Sequence, residues 1–169
     1  LHYDNAWYRK HFILPEGMEH MRVLLRFDAI AGKSTIYLNG CLMYHNFSSY
    51  NTFEIDISDI VNFDKENVIA VYVNTEEWEG WWYQGGGIYR DVHLEITELT
   101  AIDLWGVYAP YKKIDEYAWR IDFETTVVNS DYEDSFVTAE SSVIDINNNR
   151  IAASIGQGII AQRENGIIN

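Results

Sequence analysis

The chain has 169 residues, of which 47% are hydrophobic and 15% aromatic, and its formal net charge is −14. This composition supports a buried core, and the length allows one domain or two small ones. The acidic balance argues against nucleic-acid and anionic-membrane partners, because both need a basic face. The sequence contains no run of about 18 apolar residues, so it predicts no membrane-spanning helix.

Alternation of apolar and polar residues with a period of two predicts half-buried strands along most of the chain. The pattern is clearest in residues 22–28, 53–58, 92–97 and 119–127. Residues 67–73 are apolar on both faces after Asn67, which is typical of a central strand. We expect Trp7 and Tyr8 to be core residues of the first strand.

Turn-forming residues separate these segments. Asn39-Gly40 lies between the apolar runs IYL and CLMYH and predicts a two-residue hairpin turn. Helical structure is expected only at residues 58–63, as a turn capped by Ser58. Cys41, the only cysteine, cannot form an internal disulfide, and we expect it to be a small buried residue. The sequence therefore predicts an all-β protein built from sandwiches.

A domain boundary is expected near residue 98. The strand pattern that ends at Thr97 is followed by ELTAIDLWGVYAP, after which new hairpins begin. We therefore expect one domain at residues 1–98 and a second at residues 99–169. The second is short for a sandwich of roughly 100 residues, and we expect it to be truncated.

The segment EWEGWWYQGGGIYRDV at residues 77–92 combines aromatic rings, amides and glycines. Rings stack on the C–H faces of sugars, and amide or carboxyl groups bind their hydroxyls. The candidates for sugar contact are Trp78, Trp81, Trp82, Tyr83 and Gln84. The same side chains are equally suited to packing against another domain, and this alternative stays open. Three consecutive glycines permit unusual backbone angles and close backbone approach.

Five segments carry a resemblance to a known family: AWYRKHFILP (6–15), VLLRFDAIAGKSTIYLNG (23–40), YNTFEIDISDIV (50–61), ENVIAVYVN (66–74) and WWYQGGGIYRDVHLEI (81–96). Together they resemble the N-terminal sugar-binding domain of family 2 glycoside hydrolases, which include β-galactosidases, β-glucuronidases and β-mannosidases. The form WWYQGGGIYRDV is most similar to β-galactosidases. Residues 99–169 resemble the start of the immunoglobulin-like domain that follows in the family.

The resemblance implies a galactose-binding-domain-like jelly-roll sandwich, an immunoglobulin-like sandwich and then a TIM barrel that carries two catalytic glutamates. Retaining hydrolysis needs two carboxyl groups about 5 Å apart, and no motif in the present sequence singles out such a pair. We therefore expect no catalytic residue in this chain. We expect it to support the barrel of the same protein, which would act on a β-linked galactoside or another glycoside.

No cofactor is expected from the sequence. In some β-galactosidases of the family, an Asp in the loop before the GIYRDV strand helps to bind sodium. Trp81 stands near that position here, and its ring offers no oxygen ligand. Calcium would need several converging oxygens. The candidates, Asp56, Asp59 and Asp64, match no known calcium-loop spacing. The scattered histidines likewise form no metal motif.

Two other functions remain open at the level of the sequence. The chain could be an autonomous carbohydrate-binding module, or a structural or assembly domain without ligand contact. A truncated second sandwich would also leave unpaired strand edges, which favour association between copies of the chain.

Overall fold

The computed structural model describes residues 5–76 and 85–169, and within these ranges every regular element is a β-strand. The chain divides into two compact units, Leu1–Thr97 and Glu98–Asn169. The described residues contain no helix that is long and apolar enough to cross a membrane. The predicted all-β class is confirmed.

The first unit consists of two main sheets and a short ribbon. Its strands are β1 (Ala6–Phe12), β2 (Arg22–Phe27), β3 (Ile30–Ala31), β4 (Lys33–Leu38), β5 (Cys41–Asn46), β6 (Phe53–Asp56), β7 (Asn67–Asn74), β8 (Gly87–Ile88) and β9 (Val92–Thr97). One sheet has the order β1-β7-β4-β5, the other the order β6-β2-β9, and β3 pairs with β8. All pairs are antiparallel.

The two sheets share one apolar core, which makes this unit a β-sandwich. Alternate residues of β4 and β7, such as Ile36 and Val71, are buried with Val23, Leu25 and Phe27 of β2. Each such side chain contributes roughly 1.5–3 kcal/mol when fully buried. The alternation along β2 therefore predicted its inward face correctly, and β7 is central as expected, between β1 and β4.

The predicted hairpin turn at Asn39-Gly40 is confirmed. Both residues have positive φ, 52° and 85°, which is the geometry of the two-residue type I′ turn between paired strands. Asn39 also donates from Nδ2 to Oδ1 of the buried Asn67 at 2.9 Å. The turn is thereby tied to the start of the central strand.

A turn forms at residues 58–60, within the expected range of 58–63 but shorter, and Ser58 is not its cap. The amides of Ile60 and Val61 both donate to the Ile57 carbonyl. Oδ1 of Asp56 accepts from the Ser58 amide at 3.1 Å and from the Ser58 hydroxyl at 2.7 Å. Asp56 is therefore the capping residue of this turn.

The structure corrects the expected burial of three residues. Trp7 is 63% exposed and Tyr8 is 38% exposed, and Cys41 is also exposed. In the described sheet β1 is an edge strand with a neighbouring strand on one side only. Its side chains therefore have fewer neighbours than those of a central strand. Cys41 opens the opposite edge strand, β5, directly after the turn.

The second unit contains the remaining strands. They are β10 (Thr100–Tyr108), β11 (Tyr111–Lys113), β12 (Trp119–Ile121), β13 (Glu124–Asn129), β14 (Ser135–Ile144), β15 (Arg150–Ile160) and β16 (Asn165–Ile168). They pair as β10-β13-β16, β11-β12 and β14-β15. Val127, Ile160 and Ile168 form a small buried core with Val137 and Ala139 packed against it.

The prediction of one continuous strand over residues 119–127 is wrong. The chain breaks between β12 and β13, where the Asp122 amide donates to the Pro110 carbonyl at 3.0 Å. Trp119 is 58% exposed, whereas Thr125 and Val127 are buried. Alternation predicts which residues share a face, but it does not reveal that one run is divided between two pairing partners.

Candidate functional site

The sugar-contact candidates Trp78, Trp81, Trp82, Tyr83 and Gln84 lie outside the described residues, so their assignment stays a prediction. The structure does describe the residues on either side of the segment that carries them. On one side, Oδ1 of Asn74 at the end of β7 accepts from the Glu76 amide at 2.9 Å. Glu76 in turn accepts from Asn5 Nδ2 at 2.8 Å. On the other side the chain re-enters the fold through glycines.

Two of the three consecutive glycines are required by close packing. Gly87 has a φ of 112°, and a Cβ at this position would collide with the Tyr8 hydroxyl. A Cβ on Gly86 would collide with the Thr75 side chain, whereas Gly85 has open space around it. The predicted close backbone approach is therefore confirmed at Gly86 and Gly87. It fixes the point at which the loop returns to β8.

Exposed aromatic rings lie on the segment that follows β8 and on the segment at residues 47–50. The Tyr89 hydroxyl, one residue after β8, donates to the Ser49 carbonyl at 2.8 Å. The neighbouring segment carries Phe47 and Tyr50, which are 69% and 57% exposed. The Arg90 guanidinium lies 5.5 Å from the centre of the Tyr89 ring. The Ser49 hydroxyl also accepts from the Gly32 amide at 3.1 Å.

The exposed rings of Phe47, Tyr50 and Tyr89 are not among the candidates that the sequence predicts. The available signal was the presence of two rings within HNFSSYN, a segment rich in turn-forming residues. Large rings in such a segment are seldom core residues, because loops run over the surface. The hydrogen bond between Tyr89 and Ser49 joins the two segments across 40 residues of sequence.

A polar cluster lies where β2 ends and β9 begins. Asp28, Asp91 and His93 offer three ligand atoms within 4.8 Å of one another. His93 Nε2 is 3.1 Å from Asp28 Oδ2, and Arg26 Nε donates to Asp28 Oδ1 at 3.3 Å. The hydrogen bond with His93 is the main cause that lowers the pKa of Asp28, and the charges of His93 and Arg26 add to it.

This cluster is explained by its own internal pairing. Calcium takes six to eight oxygen ligands, so two carboxylates and an imidazole are a poor match for it. The set is closer to what zinc accepts, yet Asp28 is already engaged by His93 and Arg26. Of the residues considered for calcium from sequence, Asp56 accepts hydrogen bonds from Ser58 and from Arg22 Nε at 2.9 Å.

A cavity of about 440 Å³ opens between the two sheets of the first unit. Its walls are mostly apolar, including Leu25, Phe27, Val71 and Leu94, with Lys10 among the few polar residues. Tyr8, Arg9 and His93 also line it. Residues of the core cluster form much of the wall, so the cavity is an incompletely covered part of the core.

Comparison with known proteins identifies the family. The sequence profile described as "Glycosyl hydrolases family 2, sugar binding domain" matches residues 2–98. The chain is 31% identical over 154 residues to a β-galactosidase of Bacteroides ovatus, covering 90% of this chain and 18% of that protein. It is 28% identical over 161 residues to a β-glucuronidase of Formosa agariphila, covering 83% of this chain and 16% of that protein.

Solved structures agree with the sequence comparison. A glycosyl hydrolase family 2 member from Bacteroides cellulosilyticus superposes with a TM-score of 0.89 at 28% identity, covering 96% of this chain and 22% of that one. The chain thus spans about a fifth of the length of the proteins it matches. The profile match, the identities and the superposition agree with the fold described above. The chain therefore belongs to glycosyl hydrolase family 2.

Proposed function

We propose that this chain is the non-catalytic N-terminal part of a retaining glycoside hydrolase whose whole form acts on β-galactosides. Two observations support this: its family, and its similarity over 90% of its length to the Bacteroides ovatus β-galactosidase. Residues 1–98 would form the jelly-roll sugar-binding domain, and residues 99–169 would belong to the immunoglobulin-like domain. The role of both would be to support the catalytic barrel.

The carboxyl groups that have a shifted pKa are unsuited to donate a proton near neutral pH. A retaining glycosidase needs one carboxyl group that stays protonated near neutral pH, which requires a raised pKa. Among the described residues, the carboxyl groups with a shifted pKa are Asp28, Asp56 and Asp145, and all three are lowered. For Asp56, burial acts to raise the pKa, but hydrogen bonds from Ser58 and Arg22 outweigh it.

Asp28 and Asp91 lie close enough to be compared with a catalytic pair. The lowered pKa keeps Asp28 ionised, so it is a poor proton donor to a leaving group. His93 and Arg26 also occupy its oxygens. These contacts favour a structural role for Asp28 and Asp91, near the end of β2 and the start of β9.

The loop at residues 77–84 would add aromatic and amide groups to the sugar site of the whole enzyme. The observation that carries this proposal is the set of exposed rings on the segment that follows β8 and on residues 47–50, namely Tyr89, Phe47 and Tyr50. Rings that have no core to fill offer stacking surfaces for sugars. Trp81, Trp82 and Gln84 would supply the contacts nearest the ligand.

The experiment has two parts. The purified chain is first assayed with a chromogenic β-galactoside, where we expect no hydrolysis above background. It is then titrated calorimetrically with galactose, lactose and glucuronic acid beside Trp82→Ala and the control Trp105→Ala. Trp105 is 81% exposed in the second unit, so its removal controls for general loss of a surface tryptophan.

The outcomes separate the three functions. Hydrolysis by the chain alone would refute the non-catalytic role. Binding that is lost in Trp82→Ala and kept in Trp105→Ala would favour an autonomous carbohydrate-binding module. Absence of binding at millimolar sugar, with binding restored in the whole enzyme, would mean that the loop acts only together with the barrel. Absence of binding in both would favour a purely structural domain.

We also propose that free strand edges allow association between copies of the chain. Within the described sheets, β1 and β5 each have a neighbour on one side only, and open edges pair readily. Sedimentation at increasing concentration tests this, and a monomer throughout would contradict it.

A further inference from the structure

The outer face of the sheet β1-β7-β4-β5 carries an aromatic cluster of one exposed ring, Trp7, and two half-buried rings, Tyr37 and Tyr72. Trp7 is 63% exposed. Its ring centre lies 5.1 Å from that of Tyr72 and 5.9 Å from that of Tyr37. The rings are tilted by 44° and 33° relative to Trp7. They form a shallow, twisted surface rather than a stack.

The register of the sheet builds this cluster. One cross-strand row runs Trp7–Tyr72–Thr35–His45 through β1, β7, β4 and β5. In the next row on the same face, Ala70 lies beside Tyr37. The small Ala70 side chain leaves room above β7, and Trp7 and Tyr37 approach each other across that strand.

Hydrogen-bonding groups continue the same row. The Thr35 hydroxyl lies 3.1 Å from His45 Nδ1, which leaves His45 Nε2 available at the other side of the ring. The hydroxyls of Tyr37 and Tyr72 belong to the cluster itself. Arg9 follows Trp7 by two residues on β1 and pairs in register with Ala70. Apolar ring faces and polar groups therefore alternate over a few side chains.

We propose that Trp7, Tyr72 and Tyr37 form a carbohydrate-binding platform that receives the C–H face of a pyranose ring of an oligosaccharide. Aromatic faces beside hydroxyl, imidazole and guanidinium groups match a ligand with one apolar face and a rim of hydroxyls. A flat aliphatic partner would leave those polar groups unpaired. The platform uses none of the residues of the loop at 77–84, so it stands or falls independently of the function proposed for that loop.

The test is fluorine NMR of the chain labelled with 5-fluorotryptophan. The sequence has six tryptophans, and Trp7→Phe assigns the Trp7 resonance. Lactose and cellobiose are titrated to roughly 50 mM, well above the millimolar range of weak affinities. We expect the Trp7 resonance to move and to saturate. Tyr72→Ala should raise the dissociation constant at least about fivefold, while Trp105→Ala should leave it unchanged.

Three outcomes would overturn the platform. If the resonances of Trp78, Trp81 or Trp82 move while that of Trp7 stays fixed, sugar binds at the loop only. If no resonance moves, neither site binds these sugars. Aromatic cross-strand pairs also stabilise sheets, so Tyr72→Ala that lowers stability but leaves the Trp7 titration unchanged would assign the cluster a purely structural role. A saturable Trp7 shift supports the platform even where the loop resonances stay fixed.

Discussion

Replacing Gly87 by Ala should destabilise the first unit through two separable effects. A non-glycine residue held at the φ of 112° observed at Gly87 costs about 1–3 kcal/mol in backbone strain. The new Cβ would also collide with the Tyr8 hydroxyl. Tyr8 is 38% exposed, so its ring can move aside, and we assign about 1 kcal/mol to that displacement. The total is about 2–4 kcal/mol.

Gly85→Ala is the matched control. It lies two residues earlier in the same run of glycines, with no atom within 4 Å of a Cβ and no positive φ recorded. Its effect should remain within about 0.5–1 kcal/mol of zero, with a tendency to stabilise through the unfolded chain. Both variants make the same substitution, Gly to Ala, and the two positions differ only in their packing and backbone conformation.

Urea denaturation measures both variants. With a slope of about 2 kcal/mol/M, Gly87→Ala should lower the midpoint for the first unit by about 1–2 M. Adding Tyr8→Phe removes the hydroxyl and should recover the steric part of the loss. Amide exchange at Ile30 and Ile88, which are cross-strand partners, should accelerate in Gly87→Ala only. Equal effects of Gly85→Ala and Gly87→Ala would refute the reasoning.

Three further predictions concern buried polar groups and pH. Asn67→Ala should destabilise the first unit by about 2–4 kcal/mol in urea denaturation, since its buried amide makes four hydrogen bonds, one with Asn39, two with Asn62 and one with the Lys65 carbonyl; a loss below about 1 kcal/mol would contradict this. Ser34→Ala should stabilise by about 1 kcal/mol, because the buried Ser34 hydroxyl finds no partner in the described part of the chain; a clear loss of stability would reveal one. The lowered pKa of Asp28 gives stability that is present above the unfolded value of about 4 and is lost as pH falls through the folded value. Asp28→Asn should therefore flatten the acid limb of a stability–pH profile, and an unchanged limb would exclude this contribution.

The strands and the main hairpin could be predicted because their signals are local. Val23, Leu25 and Phe27 lie two residues apart, and their burial in one core follows from the pleat; Leu24 is also buried but does not belong to that core cluster. Asn39-Gly40 favours positive φ at both positions, so this turn is encoded by two residues. Features that depend on which strand lies beside which were less predictable. The division of residues 119–127 between β12 and β13 is the clearest example.

The candidate site likewise has features that could be predicted from sequence and features that depend on the tertiary structure. The glycines at 86 and 87 were recognisable as points of close approach, but the partners Thr75 and Tyr8 come from distant strands. Only the hydrogen bond from the Tyr89 hydroxyl to the Ser49 carbonyl links the segment of Phe47 and Tyr50 to the segment that follows β8. Trp7 was expected in the core because an apolar residue on a strand usually faces inward. That prediction is wrong, because Trp7 lies on the outer face of an edge strand and is 63% exposed.

The sequence by itself determined the all-β class, the family and the position of the aromatic loop, because these follow from periodicity, turn chemistry and the order of local motifs. Only the tertiary structure decided that Trp7, Tyr72 and Tyr37 meet on an outer face, and that Asp28 is held by His93 and Arg26. The physical reason is register. Pairing of β1 with β7 brings together Trp7 and Tyr72, which lie more than 60 residues apart in the chain, and pairing of β7 with β4 adds side chains more than 30 residues away. No local pattern carries that information.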